Sequence, residues 1–274
     1  MVLAALAGAG AAVLTDRLGD TAASADASPT ALASGSSVPD PSASADAAPL
    51  LDPAAASPTP ARVAAPTPTP TPTRAFPATD DELAQIDDPA STLVVVNKQR
   101  PLQPADYAPE VVSVGHGHGM RADAAAALTD LLAAADADGV AMFANSAYRS
   151  YGEQATTYDG WRRKLGQNRA DELSARAGYS EHQTGLAADM RPLTGTCRAY
   201  SSCFPDTPQA AWLAEHAWEY GYIVRYPPDQ EAVTGYAPEP WHIRFVGVEF
   251  ARTFHDSGAA TLEAYFGLPP APTY

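Results

Sequence analysis

The chain reads Ser180-Glu-His-Gln-Thr-Gly-Leu-Ala-Ala-Asp189 in one stretch and Glu239-Pro-Trp-His242 in a later one. Together the two stretches contain two imidazoles and a carboxylate that can bind a metal, and a second carboxylate close to the last imidazole. A catalytic zinc site uses three protein ligands with nitrogen or oxygen donors and leaves one position open for water. A glutamate beside the metal can then accept the proton of that water. The donor set is therefore typical of a zinc hydrolase.

The spacing of the first stretch requires a turn. His182 and Asp189 are an odd number of residues apart, so on a straight strand their side chains would point to opposite faces of the sheet. Gly185 lies between them and permits the chain to turn. Residues 186–190 then read as a short extended segment. We predict a turn followed by a strand, which aims both side chains at one point.

The second stretch requires a bend. Glu239 and His242 are also an odd number of residues apart, so a straight strand would separate them in the same way. Pro240 removes a backbone donor and biases Glu239 towards an extended or turn conformation. A bend near Pro240 would let both side chains face the cavity that holds the first stretch.

The two stretches resemble the zinc D-alanyl-D-alanine carboxypeptidases of the VanY type, in peptidase family M15 and the wider group that shares the lysostaphin, D-Ala-D-Ala-peptidase and hedgehog fold. Further matches follow in the family's order at Val96-Asn97-Lys98 with Pro101-Leu102, at Ser146-Ala147-Tyr148-Arg149-Ser150-Tyr151 through Gln154, and at Arg225-Tyr226-Pro227 with Thr234-Gly235-Tyr236. The resemblance covers residues 93–268. Any one fragment is weak, and their shared order makes the set strong.

The resemblance implies a role for each matching residue. The implied ligands of one Zn²⁺ ion are His182, Asp189 and His242. Glu239 is implied as general base and acid, and Arg149 as the residue that polarises the scissile carbonyl and holds the oxyanion. Gln154 and Ser180 match positions near the terminal D-alanine of the substrate. The implied reaction removes the terminal D-Ala from peptidoglycan stem peptides by attack of a zinc-bound water.

Other functions remain open at this point. An enzyme of the same fold could be a D,D-dipeptidase or an endopeptidase that cuts another bond of the stem peptide. A protein of a different class could be a non-catalytic zinc-containing module that binds wall peptides. The presence of Glu239 and Arg149 favours an enzyme, because a binding module has no need of a base.

The composition changes sharply near residue 90. Residues 20–90 are dominated by Ala, Ser, Thr and Pro, as in Pro66-Thr-Pro-Thr-Pro-Thr-Pro72. Such a segment cannot bury enough apolar surface to offset its chain entropy, so we predict a disordered, semi-extended spacer. Within residues 1–19, the apolar run from 2 to 14 is too short to span a bilayer. We expect a truncated signal peptide or membrane anchor there, with a disordered alanine-rich start as the alternative.

Cysteine content and charge indicate where the protein works. Cys197 and Cys203 lie close together in a polar loop and predict a disulfide, which persists in oxidising compartments; two free thiols are the alternative. We therefore expect an extracytoplasmic protein of the bacterial cell envelope, anchored or secreted. The net charge of −15 argues against nucleic acid, which is bound through clustered Lys and Arg. We expect a monomer whose partners are stem peptides ending in D-Ala-D-Ala.

Residues 91–274 have the length of one domain and mix helix and strand signals. Apolar spacing predicts a helix over 121–136, and a capping box at Ser150 and Glu153 begins one that carries Gln154. Cap residues bracket a helix over 208–220. Further predictions are strands at 140–145, 222–226 and 242–246 and helices at 248–255 and 262–266. Without regular alternation of strands and helices, we predict an α+β domain whose small antiparallel sheet floors the zinc site, with helices packed behind it.

Overall fold

The structure is a computed structural model that describes residues 78–195, 197 and 202–274. The elements, in chain order, are α1 (Asp80–Leu83), β1 (Val112–Gly115), β2 (His118–Met120), α2 (Ala122–Ala137), β3 (Met142–Ser146), α3 (Tyr151–Leu165), α4 (Gln167–Leu173), β4 (Ala187–Pro192), α5 (Pro208–His216), β5 (Tyr222–Tyr226), α6 (Glu231–Thr234), β6 (Glu239–Phe245), α7 (Val248–Ser257) and α8 (Leu262–Tyr265). The segments predicted for residues 1–77, the N-terminal part and most of the spacer, lie outside the described residues.

The fold is built on a four-stranded antiparallel sheet with the strand order β3-β4-β6-β5. The first stretch that carries candidate ligands forms a 3₁₀ turn and enters β4, and the second lies in the neighbouring central strand β6. The register of these two strands pairs Asp189 directly with His242. A separate two-stranded hairpin is formed by β1 and β2. The predicted α+β class with a small antiparallel sheet is confirmed.

Helix α2 packs one apolar stripe into the main core. Its buried residues follow helical spacing and are Ala124, Ala125, Leu128, Leu131 and Ala135. They join a cluster that includes Leu213 of α5 and Tyr222 and Ile243 of the sheet. A second cluster is formed mainly by α7, α8 and the residues near them. Helices α2 and α5 thus pack against the sheet in the main core, and α7 and α8 pack with Ile223 of β5 in the second cluster.

The capping residues in the sequence predicted the observed starts of α3 and α5 correctly. Ser150 and Glu153 form the predicted capping box at the start of α3. The side chain of Thr207 accepts a hydrogen bond from the backbone of Ala210 at the start of α5. The helix predicted over 208–220 is α-helical only to His216 and continues as a 3₁₀ turn that ends before Gly221, a left-handed residue. Helix α4 was not predicted.

Residues 78–90, which we assigned to the spacer, are folded. Thr79 caps α1 in a second capping box. Ile86 is only 6% exposed and belongs to the second apolar cluster. A single buried isoleucine near the end of a Pro- and Ala-rich tract was too weak a signal to detect from composition. The folded part therefore begins before residue 91.

Among the described residues, no helix combines the length and the apolar character needed to cross a bilayer.

The substitution Gly235→Ala should be unusually destabilising. Gly235 has φ +80°, and an added Cβ would lie 2.7 Å from the carbonyl oxygen of Ala271 and 2.8 Å from that of Pro272. Gly247 has φ +88° with no atom within 4 Å of an added Cβ, so Gly247→Ala is a matched control. Both variants carry the left-handed penalty, and only the first adds a clash. We expect Gly235→Ala to lower the free energy of unfolding by about 1–3 kcal/mol more than the control in urea denaturation. Equal losses would contradict this account.

Candidate metal centre and active site

A tight turn brings His182 and Asp189 together. His182 lies in a 3₁₀ turn over Glu181–Thr184, which ends at Gly185 in the left-handed conformation with φ 71°. Strand β4 begins shortly after the turn and carries Asp189. Nε2 of His182 lies 3.1 Å from Oδ2 of Asp189. This is the turn followed by a strand that the spacing predicted.

A register shift lets Glu239 and His242 share the same cavity. Val224 pairs with Ile243, but Tyr226 pairs with Glu239, so β6 uses more residues than β5 over the same length. The irregularity bends β6 near Pro240, as predicted, and breaks the alternation of side chains. Nδ1 of His242 lies 3.6 Å from Oε2 of Glu239.

Three donor side chains converge in the cavity. His182, Asp189 and His242 each offer one ligand atom, and these atoms all lie within 4.8 Å of one another. All three residues are buried, with exposures of 6%, 1% and 3%. Two imidazole nitrogens with one carboxylate oxygen are a donor set that suits zinc and leaves a coordination position for another ligand. In the part of the chain that the structure describes, no other group of His, Cys, Asp and Glu is arranged to hold a metal.

The outer nitrogens of both imidazoles are held by protein groups. Nδ1 of His182 lies 2.7 Å from the carbonyl oxygen of Ala147, and Nε2 of His242 lies 3.3 Å from Oε2 of Glu181. With the outer nitrogens engaged as donors, Nε2 of His182 and Nδ1 of His242 are left to act as ligands. Contacts of this kind orient metal-binding histidines and set their tautomers.

Glu181 is a functional candidate that our sequence analysis missed. Its carboxylate is fully buried and accepts hydrogen bonds from Arg225 at 2.8 Å and Arg244 at 2.7 Å. Burial would raise the pKa of Glu181, but the two guanidinium charges reverse the shift and keep its pKa well below the usual range. An acid directly before a candidate ligand was the available signal. Its partners Arg225 and Arg244 lie on β5 and β6, and these pairings could not be inferred from the position of Glu181 in the sequence.

The charge state of His242 follows from its two acidic neighbours. Burial alone would lower the pKa of His242, but the hydrogen bonds with Asp189 and Glu181 reverse this and raise its pKa to about 10. For His182, burial dominates and lowers the pKa. The Asp189 and Glu181 carboxylates thus favour a positive charge at the His242 ring.

Glu239 lies beside the donor cluster without belonging to it. Its side chain is 18% exposed and lines the cavity. Burial raises the pKa of the Glu239 carboxyl to about 8, with the nearby Asp189 carboxylate adding to the effect and His242 opposing it. A carboxyl whose pKa lies near neutral pH can both accept and return a proton during turnover.

Arg149 and Gln154 form a hydrogen-bonded pair on another wall of the cavity. Nη1 of Arg149 donates to Oε1 of Gln154 at 2.8 Å, and Nη2 donates to Oγ of Ser146 at 2.9 Å. Nε2 of Gln154 donates to the carbonyl oxygen of Ala175 at 2.6 Å. Gln154 therefore holds the guanidinium of Arg149 in place, in addition to the substrate contact that we predicted for it.

The cavity has a volume of about 400 Å³ and gathers all of the predicted catalytic, substrate and metal residues. Its lining residues are Arg149, Gln154, Thr157, Trp161, Leu173, Ser174, Ala175, Ser180, Glu181, His182, Asp189, Tyr226, Tyr236, Glu239, Trp241 and His242. The lining combines these polar groups with the aromatic side chains of Trp161, Tyr226, Tyr236 and Trp241. The roles of the individual residues remain predictions.

The two cysteines are joined by a disulfide bond outside this cavity lining. The Cα atoms of Cys197 and Cys203 are 5.8 Å apart. Cys197 packs against the main core, and Cys203 precedes the 3₁₀ turn that leads to α5. The bond closes a short loop between β4 and α5.

Comparison with known proteins agrees with this geometry. The VanY family, described as D-alanyl-D-alanine carboxypeptidase, matches residues 117–248. A D-alanyl-D-alanine carboxypeptidase of Enterococcus faecalis is 34% identical over 190 residues, covering 66% of this chain and 68% of the relative.

Two solved structures share the fold. The LdcB LD-carboxypeptidase aligns with a TM-score of 0.60 and 35% identity, covering 66% of this chain and 87% of the other. A mutant of the vancomycin resistance D,D-pentapeptidase VanY in complex with Zn(II) aligns with a TM-score of 0.56 and 33% identity, covering 64% and 98%. The similarity thus includes both D,D- and L,D-carboxypeptidases.

The contact of Glu181 with His242 predicts a specific effect on metal affinity. Glu181 and Glu263 are both fully buried and both pair with Arg225, but only Glu181 reaches His242. Glu181→Gln and Glu263→Gln should therefore both destabilise the fold, because each removes one carboxylate that compensates buried guanidinium charge. Only Glu181→Gln should weaken zinc binding, by about 10–100-fold, because it disturbs the group that orients a ligand. Chelator competition measures the affinity, and equal zinc affinities in the two variants would contradict the assignment.

Proposed function

Because this chain belongs to the VanY family of D-alanyl-D-alanine carboxypeptidases, in peptidase family M15, we propose that it is a zinc-dependent hydrolase that removes the terminal D-Ala from peptidoglycan stem peptides. The observation that carries the proposal is the grouping of two imidazoles and one carboxylate within 4.8 Å of one another, in a cavity that also holds a separate carboxylate and a guanidinium.

In this proposal, His182, Asp189 and His242 bind one zinc ion. The donor set and its burial fit that ion, as argued above. When bound, zinc lowers the pKa of a water molecule and polarises a carbonyl group. Contacts with Ala147 and Glu181 hold the outer nitrogens of the two imidazoles and so orient both rings for metal binding.

Glu239 is the proposed proton carrier. It sits next to His242 and is separate from the three donor residues. As general base it takes a proton from the attacking water, and as general acid it returns that proton to the amine of the departing D-Ala. A positioned acid–base group of this kind typically contributes about 10²–10⁴-fold in rate.

Arg149 is proposed to hold the negative charge that develops on the scissile carbonyl oxygen. A guanidinium has a rigid fork of donors and keeps its charge at any physiological pH. Its bonds to Ser146 and Gln154 fix its direction before substrate arrives. Loss of one such donor typically costs about 2.7–4 kcal/mol of transition-state stabilisation.

The remaining polar residues and the aromatic walls are proposed to select the substrate. Ser180 is 4% exposed and lines the cavity beside the 3₁₀ turn that carries His182. We propose that Ser180 and Gln154 contact the terminal D-Ala. Trp161 and Trp241 can pack against its methyl group and exclude bulk water, which strengthens the electrostatic contacts within the site.

The proposal places the enzyme in the bacterial cell envelope, where peptidoglycan is found. The disulfide between Cys197 and Cys203 agrees with an oxidising compartment. We further propose that residues 1–19 are a signal or anchor segment, that residues between it and the folded part act as a spacer, and that the protein works as a monomer.

An L,D-carboxypeptidase is the second candidate. It would remove a terminal D-Ala that follows an L-configured centre. The similarity to an LD-carboxypeptidase structure favours this candidate, and the similarity to a D-alanyl-D-alanine carboxypeptidase favours the first candidate equally. Both reactions use the same metal, base and guanidinium. They differ in the residue before the scissile bond, which is D-alanine in the first reaction and a residue with an L-configured centre in the second.

One experiment tests the substrate assignment. Purified protein is incubated with a pentapeptide stem ending in D-Ala-D-Ala and, separately, with a tetrapeptide stem ending in a single D-Ala, with and without a chelator. We expect mass spectrometry to show loss of one D-Ala from the pentapeptide, abolished by chelator and restored by zinc. Cleavage of only the tetrapeptide would select the second candidate. Release of the intact dipeptide or cleavage of cross-links would indicate a dipeptidase or an endopeptidase.

A pair of variants tests the division of labour between binding and chemistry. Glu239→Gln should keep its zinc content and lower kcat by about 10²–10⁴-fold, because only the proton carrier is lost. His182→Ala should lose zinc and activity together. Metal content by elemental analysis and kcat on the pentapeptide are the two readouts. A Glu239→Gln enzyme with more than a tenth of wild-type kcat would rule out the assigned base.

A further inference from the structure

The last residues of the chain pack against the outside of the cavity wall. We call residues 271–274 the tail. Ala271 is fully buried, and its backbone N–H donates to the carbonyl oxygen of Val233 at 2.8 Å. Lys98 donates to the carbonyl oxygens of Gly235 and Pro272, so a buried cation joins the tail to the segment before β6. The tail lies beyond residues 117–248, over which the family match extends.

Tyr274 is the residue of the tail that reaches the cavity wall. Its ring lies under the guanidinium of Arg176, 4.0 Å from ring centroid to Cζ, and meets the ring of Tyr179 edge-on at 5.1 Å. Its hydroxyl accepts a hydrogen bond from the backbone N–H of Arg176 at 2.8 Å and lies 3.3 Å from the hydroxyl of Tyr236. Tyr236 itself lines the cavity. One hydroxyl group therefore links two parts of the wall.

A continuous path of hydrogen bonds leads from this hydroxyl to Arg149. The N–H held by Tyr274 belongs to the residue directly after Ala175, whose carbonyl oxygen accepts from Nε2 of Gln154 at 2.6 Å. Oε1 of Gln154 in turn accepts from Nη1 of Arg149 at 2.8 Å. The backbone at 174–176 thus holds one end of the Gln154 side-chain amide, and the other end of that amide accepts from the Arg149 guanidinium.

We propose that Tyr274 is a positioning residue for the reaction: its hydroxyl holds the 174–176 backbone so that Gln154 aims Arg149 at the substrate. This inference rests on the proposed function for its catalytic consequence. The hydrogen-bond path itself is independent of that function. Tyr274 does not touch the reacting atoms and acts only through the wall.

The side chain of Arg176 has anchors of its own, which makes the hydroxyl separable from the ring. Its guanidinium bonds Asp171 at 3.1 Å and 2.9 Å, and Asp171 also accepts from the hydroxyl of Tyr158 at 2.6 Å. In Tyr274→Phe, the stacking on Arg176 and the contact with Tyr179 are kept. The substitution removes the hydroxyl's hydrogen bond from the Arg176 backbone and its contact with the Tyr236 hydroxyl.

The first experiment compares Tyr274→Phe with Tyr265→Phe. Tyr265 is a matched control, because it is 6% exposed, belongs to the second apolar cluster and donates its hydroxyl to Glu82, away from the cavity lining. For Tyr274→Phe we expect faster hydrogen exchange in a peptide covering 174–180 and a kcat/KM on the pentapeptide that is about 5-fold lower, the loss of one net hydrogen bond. Zinc content should be unchanged. The control should alter neither the exchange nor kcat/KM.

A double-mutant cycle shows whether Tyr274 acts through Gln154. If the path described above operates, Tyr274→Phe should have little further effect on kcat/KM in a Gln154→Ala background, because the link to Arg149 is already broken. Independent, additive losses would indicate a purely structural role and overturn the inference.

Failure of this inference can be told apart from failure of the proposed function. A wild-type protein that binds zinc but cleaves no stem peptide would count against the function alone. Hydrogen exchange still decides the inference in that case: unchanged exchange at 174–180 in Tyr274→Phe overturns it, and faster exchange confined to that segment supports it.

Discussion

The rest of the site depends on the ion pairs and the hydrogen bond made by the buried carboxylate of Glu181. This carboxylate meets Arg225 of β5, Arg244 of β6 and the outer nitrogen of His242 at once. Arg225 also pairs with Glu263 of α8. Removing one member of such a buried group typically costs about 3–5 kcal/mol, because the remaining charge has no water to solvate it. The same charges that hold strands and helix together therefore hold a candidate metal ligand.

The sheet supplies the second constraint. Because β4 pairs with β6, the strand register alone places Asp189 opposite His242. The shifted register between β5 and β6 then brings Glu239 to the same side. A site carried on paired strands and a short turn is more rigid than one built on loops. A hydrolase needs this rigidity because its base, metal ligands and guanidinium must all be positioned around the same substrate bond.

Elements with strong local signals were predicted closely, and those defined by distant contacts were not. The capping box at Ser150 and the cap at Thr207 depend on residues a few positions apart, so both helix starts could be read directly. Strand β6 begins at Glu239, before the predicted position, because its pairing with β5 extends past Pro240. Residues 78–90 are folded because Ile86 packs in an apolar cluster with residues of α7 and α8.

The local sequence specifies the available chemistry: two imidazoles, two carboxylates and a guanidinium, set in motifs whose turns and caps are encoded by neighbouring residues. The contacts that hold these groups in place arise only when distant parts of the chain fold together. Folding pairs Glu181 with His242 and two arginines, places Gln154 between Arg149 and the 174–176 backbone, and sets Tyr274 against that backbone. Each of these contacts joins residues far apart in the chain, and their partners follow from strand pairing and packing, which local spacing does not encode.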